Sequence, residues 1–469
     1  MGPWRPGVLK VHLKKMQHYE YKSMPFITRF RVALDSNHSD AKMVICTYET
    51  VADLCTKLQS ARGKLKGWKK NDVLFYNNKR LSEYDDTIVF PNDSFIVISP
   101  PGKQPVFHSV EKLFSPVTFL HQKSPVDDIA IKQLHQCAHL PGMINCVGMP
   151  DLHPGTSFPI GAAFLSNIVY PALVGQDIGC GMTMFNMSHF VYPDNKKGLK
   201  NLYDSLEKFV TENEKTCNKV CEPRQFLSSR VADDVLLKYH HWNFGTIGGG
   251  NHFAELQECM ESMDEKSFQK DGLYLLVHSG SRTLGEHVLK NFKETGDMNA
   301  YMREHDICVE WAQCNRMAIG TRFAEKCETA LGEKILDLCH NNVVQHDNAF
   351  LHRKGAAPAT EKLIVIPGSR GTHTYIVAPT NDEVKLKECN WSVAHGAGRL
   401  KSRKNMMNKD GRKTSDKEND TSYVIYHDDT LYMQEAPEAY KNIDEVVQDL
   451  VDGGYVRIVA RMKPLITCK

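Results

Sequence analysis

The stretch Val174 to Met182, VGQDIGCGM, sets a carboxylate and a thiol among glycines. Asp177 lies three residues before Cys180, and both side chains are common ligands of divalent metal ions. The flanking glycines allow backbone conformations closed to other residues and let a ligand approach closely. A buried cysteine beside an aspartate in a packed turn gives the same pattern, so this stretch alone leaves both a site and a turn open.

Two further glycine-rich motifs carry histidines. In FGTIGGGNHFAEL, three consecutive glycines precede Asn251 and His252, and in LLVHSGSRTLG an apolar run leads His278 into a loop that contains Arg282. Glycine loops suit phosphate recognition because bare backbone N–H groups can reach the anion. The amide of Asn251 and the guanidinium of Arg282 strengthen that interpretation.

Three later or flanking motifs add candidates. His340 lies in LCHNN, and His395 lies in VAHGAGR, where the basic run Arg399 to Lys413 begins. Such a run is commonly a solvated face, but after a histidine in a glycine loop it could hold a polyanion. Upstream, MPDLHPG contains Asp151 and His153, which could serve metal ligation or merely cap a loop.

The neighbouring patterns predict the elements that position these residues. Apolar runs at residues 168–174 and 275–277 predict buried strands that lead into VGQDIGCGM and His278, and many sites lie where a strand ends in a loop. Residues 126–140 predict a helix. Its predicted inward positions are Ile129, Ile131, Leu134 and Cys137.

Length and composition limit the classes of protein. A chain of 469 residues predicts two or three domains, and a net charge of +2 requires any nucleic acid to meet a local basic patch. No run of about 18 apolar residues occurs, so we expect no membrane span. Fourteen cysteines without a CxxC pair favour reduced thiols in the cytoplasm or nucleus. The basic N-terminus leaves mitochondrial targeting open.

The chain before residue 110 predicts a separate small unit. Residues 1–24 are expected to be a disordered extension, and residues 25–100 have the order strand, strand, helix, strand, strand. That order resembles the ubiquitin-like β-grasp fold and suggests a module on which a protein partner docks. The alternative is a family-specific N-terminal extension with an unrelated fold. Pro100 and Pro101 begin a predicted linker over residues 101–109, and residues 110–469 are expected to form one catalytic domain.

Six motifs occur together over residues 110–469: MPDLHPG, VGQDIGCGM, GGGNHF, VHSGSR, CHNN followed by RKGA, and HGAGR. In this order they resemble the RtcB family of RNA ligases. The wording FPIGAAF and YPALVGQDIGCGM is most similar to the branch coupled to release factor H. The resemblance implies an α+β protein with an RtcB-type ligase fold, preceded here by the small β-grasp domain.

The resemblance also implies roles for individual residues. His395 would be the nucleophile that becomes guanylylated. Two Mn(II) ions would be held by Asp177, Cys180, His252, His278 and His340. Nucleotide contacts would come from Asn251, Glu255, Ser369, Gly396, Arg399, Tyr440 and Lys469. Thr156 stands where many members have lysine, so one expected cation is missing. Ligand chemistry alone, with three imidazoles and a thiolate, would favour zinc.

The implied activity is GTP-dependent joining of RNA 3′-phosphate or 2′,3′-cyclic phosphate ends to 5′-hydroxyl ends, in RNA repair or splicing. The basic run, with Arg282 and Arg353, is expected to bind the RNA backbone without reading sequence. Two other functions stay open. One is a metal-dependent RNA phosphoesterase that no longer ligates, and the other is an RNA-binding assembly factor recruited through the N-terminal module.

Overall fold

The computed structural model describes most of the chain from Phe26 onward. The described residues are 26–34, 37–48, 50–60, 69, 71–76, 79–83, 94–102, 115–211, 243–407, 422–426 and 428–469. The predicted extension over residues 1–24 and residues 103–109 of the predicted linker lie outside them. The chain divides into two units, Met1–Leu113 and Phe114–Lys469.

The first unit contains one sheet, one α-helix and the short 3-10 helix Leu81–Glu83 among its described residues. Its elements are β1 (Phe26–Leu34), β2 (Asn37–Tyr48), α1 (Val51–Ser60), β3 (Val73–Tyr76), β4 (Lys79–Arg80) and β5 (Ser94–Ser99). The strands run in the order β2-β1-β5-β3-β4, and β1 pairs antiparallel with β2 but parallel with β5. At the start of α1 the Asp53 N–H donates to Thr50 Oγ1, a hydrogen bond that caps the helix.

The second unit mixes strands and helices. Its strands are β6 (Val117–Phe119), β7 (Met143–His153), β8 (Ile160–Ser166), β9 (Gly181–Asn186), β10 (Phe253–Ser262), β11 (Leu273–Ser279), β12 (Lys334–Cys339), β13 (Asn341–His346), β14 (Ala349–Lys354), β15 (Ala356–Pro358), β16 (Ile364–Pro367), β17 (Thr374–Pro379), β18 (Ser392–Ala394), β19 (Tyr423–Ile425) and β20 (Val456–Cys468). Its α-helices are α2 (Asp128–Ala138), α3 (Pro171–Val174), α4 (Lys196–Thr211), α5 (Thr283–Thr295), α6 (Met298–Lys326), α7 (Glu383–Glu388), α8 (Arg403–Met407), α9 (Asp429–Gln434) and α10 (Ile443–Asp452).

Three sheets organise this unit. The largest has the order β12-β9-β11-β10-β20-β17-β16, with β19 pairing to β20. The second has the order β13-β14-β8-β7-β6, and β15 pairs with β18 in a two-stranded sheet. Among the described residues, no helix combines the length and the apolarity that crossing a bilayer requires.

The largest sheet is buried on both faces, as strand β11 shows. Leu276 packs with residues of the second sheet, whereas Leu275 and Val277 pack with Ile319 and Phe323 of helix α6. Side chains alternate between the faces of a strand, so a strand covered on both sides must be apolar at every position. The continuous apolar run before His278 is explained by this burial, and the strand predicted there is confirmed.

Two local predictions are wrong. The apolar run before VGQDIGCGM forms helix α3 and not a strand, because Pro171 fixes a backbone angle suited to the first turn of a helix. Strand β9 follows Cys180 instead of preceding it. In helix α2, Leu134 and Cys137 are buried as predicted and Ile131 is half-buried, but Ile129 is 57% exposed.

A buried carboxylate on helix α10 fixes the loop after β6. Asp449 accepts hydrogen bonds from the backbone N–H groups of Gln122, Lys123 and Ser124 at 2.8 to 3.0 Å. Burial alone would raise the pKa of Asp449, but these three donors outweigh it, and the pKa is lowered. The ionised carboxylate therefore stabilises the folded state.

We expect Asp449→Ala to lower the free energy of unfolding by about 3 kcal/mol at pH 7, because three buried N–H groups lose a charged acceptor. A lowered pKa gives stability that is present above the unfolded-state pKa and is lost as the pH falls through the folded-state pKa. The difference from the wild type should therefore shrink below about pH 4. Urea unfolding at several pH values measures it. Asp452→Ala, which removes an exposed ion pair with Lys123, should cost less than about 1 kcal/mol.

Candidate metal centre and adjoining cavity

Four neighbouring strands bring the candidate metal ligands to one end of the largest sheet. Cys180 immediately precedes β9, His252 precedes β10, His278 lies in β11, and His340 follows β12. Because these strands are adjacent in the order β12-β9-β11-β10, the four side chains converge although they are far apart in sequence. Asp177 reaches the same place from the loop between α3 and β9.

The ligand atoms lie close enough to share metal ions. The Cys180 Sγ lies 3.3 Å from His252 Nε2 and 3.2 Å from His278 Nε2. The Nε2 atoms of His278 and His340 are 3.3 Å apart, and His252 Nε2 is 3.0 Å from Asp177 Oδ2. Cys180, His252 and His278 by themselves form a group capable of holding an ion. The structure therefore brings all five predicted metal ligands together.

The electrostatics of the cluster favour metal binding by neutral imidazoles. Burial and the neighbouring histidines lower the pKa of His278 and of His340 well below the usual range, so both rings keep a free nitrogen lone pair. His252 Nδ1 lies 3.2 Å from Ile247 O, and a proton donated there leaves the Nε2 lone pair for a metal ion. Burial and Asp177 raise the pKa of Cys180, so cation binding must displace the thiol proton.

This donor set fits a bound metal. Three nitrogen atoms, a sulfur and a carboxylate oxygen point toward one another, and lone pairs in that arrangement repel unless a cation lies among them. Burial alone would raise the pKa of Asp177, but His252 outweighs that effect and the pKa falls to about 2. The carboxylate is thus ionised, and with a side chain 36% exposed it lies at the open side of the cluster.

A histidine–aspartate pair, His395 and Asp151, lies beside the candidate metal centre. The His395 Nδ1 is 2.6 Å from Asp151 Oδ2, and the His395 backbone N–H donates to the same oxygen at 3.1 Å. The carboxylate holds the proton on Nδ1, which leaves a lone pair on Nε2. The His395 ring centroid is 4.7 Å from that of His340. The candidate nucleophile His395 is therefore oriented by a fully buried acid and lies next to the candidate metal ligand His340.

The surroundings of Asp151 fix its position. The Lys441 Nζ donates to Pro150 O and Leu152 O, on either side of Asp151, at 2.8 and 2.7 Å. Gly161 has φ of +83°, and a Cβ there would lie 2.7 Å from Asp151 Oδ1. The His153 Nδ1 donates to Asp151 O at 2.8 Å, and burial lowers the pKa of His153 to about 4. The described hydrogen bonds of Asp151 and His153 thus tie these two residues to His395 and to their own strand, β7.

A single cavity connects the two centres with the predicted nucleotide contacts. Its walls include the candidate metal ligand His278 and the candidate nucleophile His395. The same cavity is lined by Asn251, Glu255, Ser369, Gly396, Arg399, Tyr440 and Lys469. Residues predicted from separate motifs thus share one concave surface, which is what a bound ligand requires.

Sequence reasoning missed a buried carboxylate on the cavity wall. Glu435 is 1% exposed and lies 3.1 Å from Arg399 and from Arg403, with Lys469 Nζ at 3.8 Å. Tyr440 donates to it as well. Burial alone would raise the pKa of Glu435, but Lys469 and the two arginines outweigh burial, and the pKa is lowered. Glu435 is the first residue of the segment EAPEAY, which ends at the predicted nucleotide contact Tyr440, and this proximity in sequence was the available signal.

The arginines and the basic run that are predicted to contact RNA have different surroundings in the structure. Arg353 is 4% exposed and donates to Ser392 Oγ and Trp391 O, so it secures the start of β18 and the prediction that it binds RNA is wrong. The Arg282 guanidinium lies against Gly248, where a Cβ would come within 1.8 Å of Nη1. Of the basic run, residues 408–413 lie outside the described residues.

Comparisons with known proteins agree on one family. The family model described as tRNA-splicing ligase RtcB matches residues 133–243, 225–297 and 293–469. The chain is 39% identical over 375 residues to RNA-splicing ligase RtcB2 of Escherichia coli, covering 73% of the chain and 93% of that protein. It is 27% identical over 445 residues to tRNA-splicing ligase RtcB of Archaeoglobus fulgidus, with 72% and 91% covered.

Proposed function

The chain belongs to the RtcB family and is an RNA ligase, and we propose that it joins RNA 3′-phosphate or 2′,3′-cyclic phosphate ends to 5′-hydroxyl ends, using GTP and two Mn(II) ions. The reaction passes through a GMP group bound covalently to His395, in RNA repair or splicing. The observation that carries the proposal is the shared cavity, which reaches from the metal ligand His278 past His395 to Lys469.

The pair of His395 and Asp151 supports the first step. The Nε2 of His395 attacks the α-phosphorus of GTP, a P–N bond forms, and the bond to the β-phosphate oxygen breaks with release of pyrophosphate. Asp151 holds the Nδ1 proton and stabilises the positive charge that the ring acquires. Mn(II) held by Asp177, Cys180, His252, His278 and His340 would neutralise phosphate charge in this step.

The remaining steps use the same atoms. An oxygen of the RNA 3′-phosphate attacks the phosphorus on His395, which frees the histidine and leaves GMP on the RNA end. The 5′-hydroxyl oxygen of the second RNA then attacks the RNA phosphorus, a phosphodiester forms, and GMP leaves. A cyclic phosphate must first be opened by water to expose the 3′-phosphate.

The cavity wall suits a guanosine nucleotide. Arg399, Arg403 and Lys469 bring cationic groups, while Glu435 and Glu255 bring carboxylates. Burial raises the pKa of Glu255, whose carboxylate accepts from Gln257 and Thr467. A nucleotide needs hydrogen-bond donors and acceptors around the edge of its base and around its ribose, and these side chains supply both. Asn251, Ser369, Gly396 and Tyr440 complete the proposed contacts.

The proposal is tested with RNA ends of defined chemistry. Purified protein, GTP and Mn(II) should join a 3′-phosphate or cyclic phosphate end to a 5′-hydroxyl end, and should leave a 3′-hydroxyl with a 5′-phosphate unjoined. An enzyme that opens the cyclic phosphate but never joins the ends would instead be the phosphoesterase alternative. Such a result, with protein of verified metal content, would overturn the ligation proposal.

We expect chelation to abolish ligation and Mn(II) to restore it, because the neutral imidazoles and the thiolate hold the ions that offset phosphate charge. The measurement is the yield of joined RNA after dialysis against a chelator and addition of one metal at a time. Mg(II), which prefers oxygen ligands, should restore little. Full activity in protein shown to be free of metal would contradict the prediction, and restoration by Zn(II) alone would replace Mn(II) in the proposal.

For residues 25–100 we propose a ubiquitin-like β-grasp domain on which a protein partner docks, with residues 101–109 as linker and residues 110–469 as ligase domain. The strand order β2-β1-β5-β3-β4, the parallel β1–β5 pair and helix α1 after the first hairpin support it. Residues 25–100 should fold alone. Removing residues 1–100 should abolish partner binding but leave ligation unchanged. Failure of the isolated segment to fold would contradict these boundaries.

Two finer assignments rest on the sequence. The wording of FPIGAAF and YPALVGQDIGCGM supports a place near the branch coupled to release factor H. The cysteines whose side chains the structure describes are all free thiols, which supports a reducing compartment, the cytoplasm or the nucleus. Localisation of the tagged full-length protein by microscopy tests the second assignment, and import into mitochondria would contradict it.

A further inference from the structure

Arg316, in the middle of helix α6, is fully buried directly behind the metal centre. Its Nη1 donates to Gly179 O at 2.9 Å and to Ser279 O at 3.0 Å. Its Nε donates to Thr183 Oγ1 at 2.9 Å, and its Nη2 donates to Asp337 Oδ1 at 2.5 Å. One planar guanidinium thus binds four acceptors, which lie on strands β9, β11 and β12 or just before β9.

Two of these acceptors are sequence neighbours of a candidate metal ligand, and a third lies three residues from one. Gly179 directly precedes Cys180, Ser279 directly follows His278, and Asp337 lies three residues before His340. Strands β9, β11 and β12 carry these ligands side by side. The guanidinium therefore sets the spacing of the strand ends from which the three ligands project.

The preceding residue of α6 extends this support to His252. The Asn315 Nδ2 donates to Ser279 Oγ at 3.2 Å, and Ser279 Oγ donates to Ile247 O at 2.8 Å. Ile247 O is also the acceptor that fixes the His252 ring. Helix α6 is thus linked to all four ligands that the strands carry.

We propose that Arg316 is a positioning residue that holds Cys180, His278 and His340 in the metal-binding arrangement before the ions arrive, and so sets the metal affinity. The inference rests on the proposed function, since it presumes the metal centre. Ligands held in place lose little conformational freedom on binding, so the affinity of the site depends on the groups that orient them.

The geometry of Arg316, rather than its charge, carries this role. Asp337 neutralises the charge locally, and its side chain is 9% exposed. A lysine at this position would keep the charge but has one donor group, which cannot satisfy four acceptors spread around a plane. Gly179 O and Ser279 O would then be buried with fewer partners, and the loops that carry Cys180 and His278 would shift.

Helix α6 offers a matched control. Arg322 lies six residues further along and is also buried, and it donates to Gly245 O and Phe209 O. Both of these acceptors lie outside strands β9, β11 and β12. A merely structural role for a buried arginine on α6 would make Arg316→Lys and Arg322→Lys behave alike.

The experiment titrates Mn(II) into metal-stripped full-length protein and follows the free ion. Arg316→Lys should raise the Kd by about 10- to 100-fold, as for other residues that orient metal ligands. Arg322→Lys should stay within about threefold of the wild type. With Co(II) in place of Mn(II), the thiolate-to-metal absorption band should weaken or shift in Arg316→Lys at saturation and stay unchanged in Arg322→Lys. Thermal unfolding of the same proteins separates affinity from stability.

Thr183→Val provides a milder test if Arg316→Lys does not fold. It removes the acceptor of Arg316 Nε at nearly constant volume and should raise the Kd by about three- to tenfold. If a folded Arg316→Lys or Thr183→Val protein binds Mn(II) with wild-type affinity, the inference about Arg316 is overturned while the proposed metal centre stands. Failure of the wild type to bind Mn(II) would overturn the proposed metal centre and this inference with it.

Discussion

Replacing His395 by alanine should abolish both the covalent GMP adduct and RNA ligation while leaving Mn(II) binding unchanged. The imidazole is the only group in this account that forms a bond to the α-phosphorus, so its loss should lower the rate by about 10⁴-fold or more. The five metal ligands do not include His395, so the metal centre should remain intact. Labelled GTP with denaturing electrophoresis measures the adduct, and joined RNA measures the ligation.

The control for this variant is His189→Ala, which removes an exposed histidine outside the cavity lining. It should retain adduct formation and ligation at wild-type rates. An adduct of undiminished intensity in His395→Ala would assign the nucleophile to another residue. Ligation without any adduct in the wild type would exclude the covalent route.

Asp151→Asn should give the second largest loss, of about 10³- to 10⁴-fold in adduct formation. The change removes the negative charge that lies 2.6 Å from His395 Nδ1 and allows the ring to take the tautomer with the proton on Nε2. That tautomer has no lone pair toward the nucleotide. A single-turnover reaction with labelled GTP measures the rate, and nucleotide binding should change little because Asp151 does not line the cavity.

The readout that separates orientation from simple destabilisation is the split between the rate of adduct formation and the affinity for nucleotide. In Asp151→Asn the single-turnover rate should fall while the affinity stays near the wild-type value, because the change acts on the orientation of the His395 ring. Asp382→Asn, which alters the cap of helix α7, should leave both the rate and the affinity unchanged. A wild-type rate in Asp151→Asn would mean that the buried acid does not orient the nucleophile.

The sequence predicts the site far better than the local fold around it. Asp177, Cys180, His252, His278 and His340 could be found because each lies in a short motif whose residue types serve a ligand directly. These side chains converge because strands β12, β9, β11 and β10 are neighbours in the sheet, and no single motif encodes that order. The resemblance of the six motifs together supplied that long-range information.

Other features depend on partners distant in sequence. The role of Asp151 follows from its contact with His395, more than two hundred residues later, and Glu435 acquires its role from Arg399, Arg403 and Lys469. The sequence predicts that Arg353 binds RNA, yet its side chain is buried and donates to Ser392 and Trp391 at the start of β18. Local composition cannot distinguish a buried cation from an exposed one.

Local patterns also fail where a single residue overrides them. The apolar run before VGQDIGCGM has the composition of a strand, but Pro171 starts helix α3 within it. The apolar residue Ile129 is exposed because it lies in the first turn of α2, beside the capping Asp127, where the helix begins at the surface. Helical periodicity indicates one face of a helix but not where that face begins to be covered.

The most direct test of the central claim is the location of GMP on the wild-type protein. After incubation with GTP and Mn(II), digestion at neutral to alkaline pH and mass spectrometry should find the GMP mass on the peptide that contains His395. The bond should be labile to acid, as a P–N bond is, and the adduct should disappear when RNA with a 3′-phosphate end is added. GMP on any other residue, or efficient ligation by protein that never carries GMP, would contradict the proposed GMP intermediate on His395.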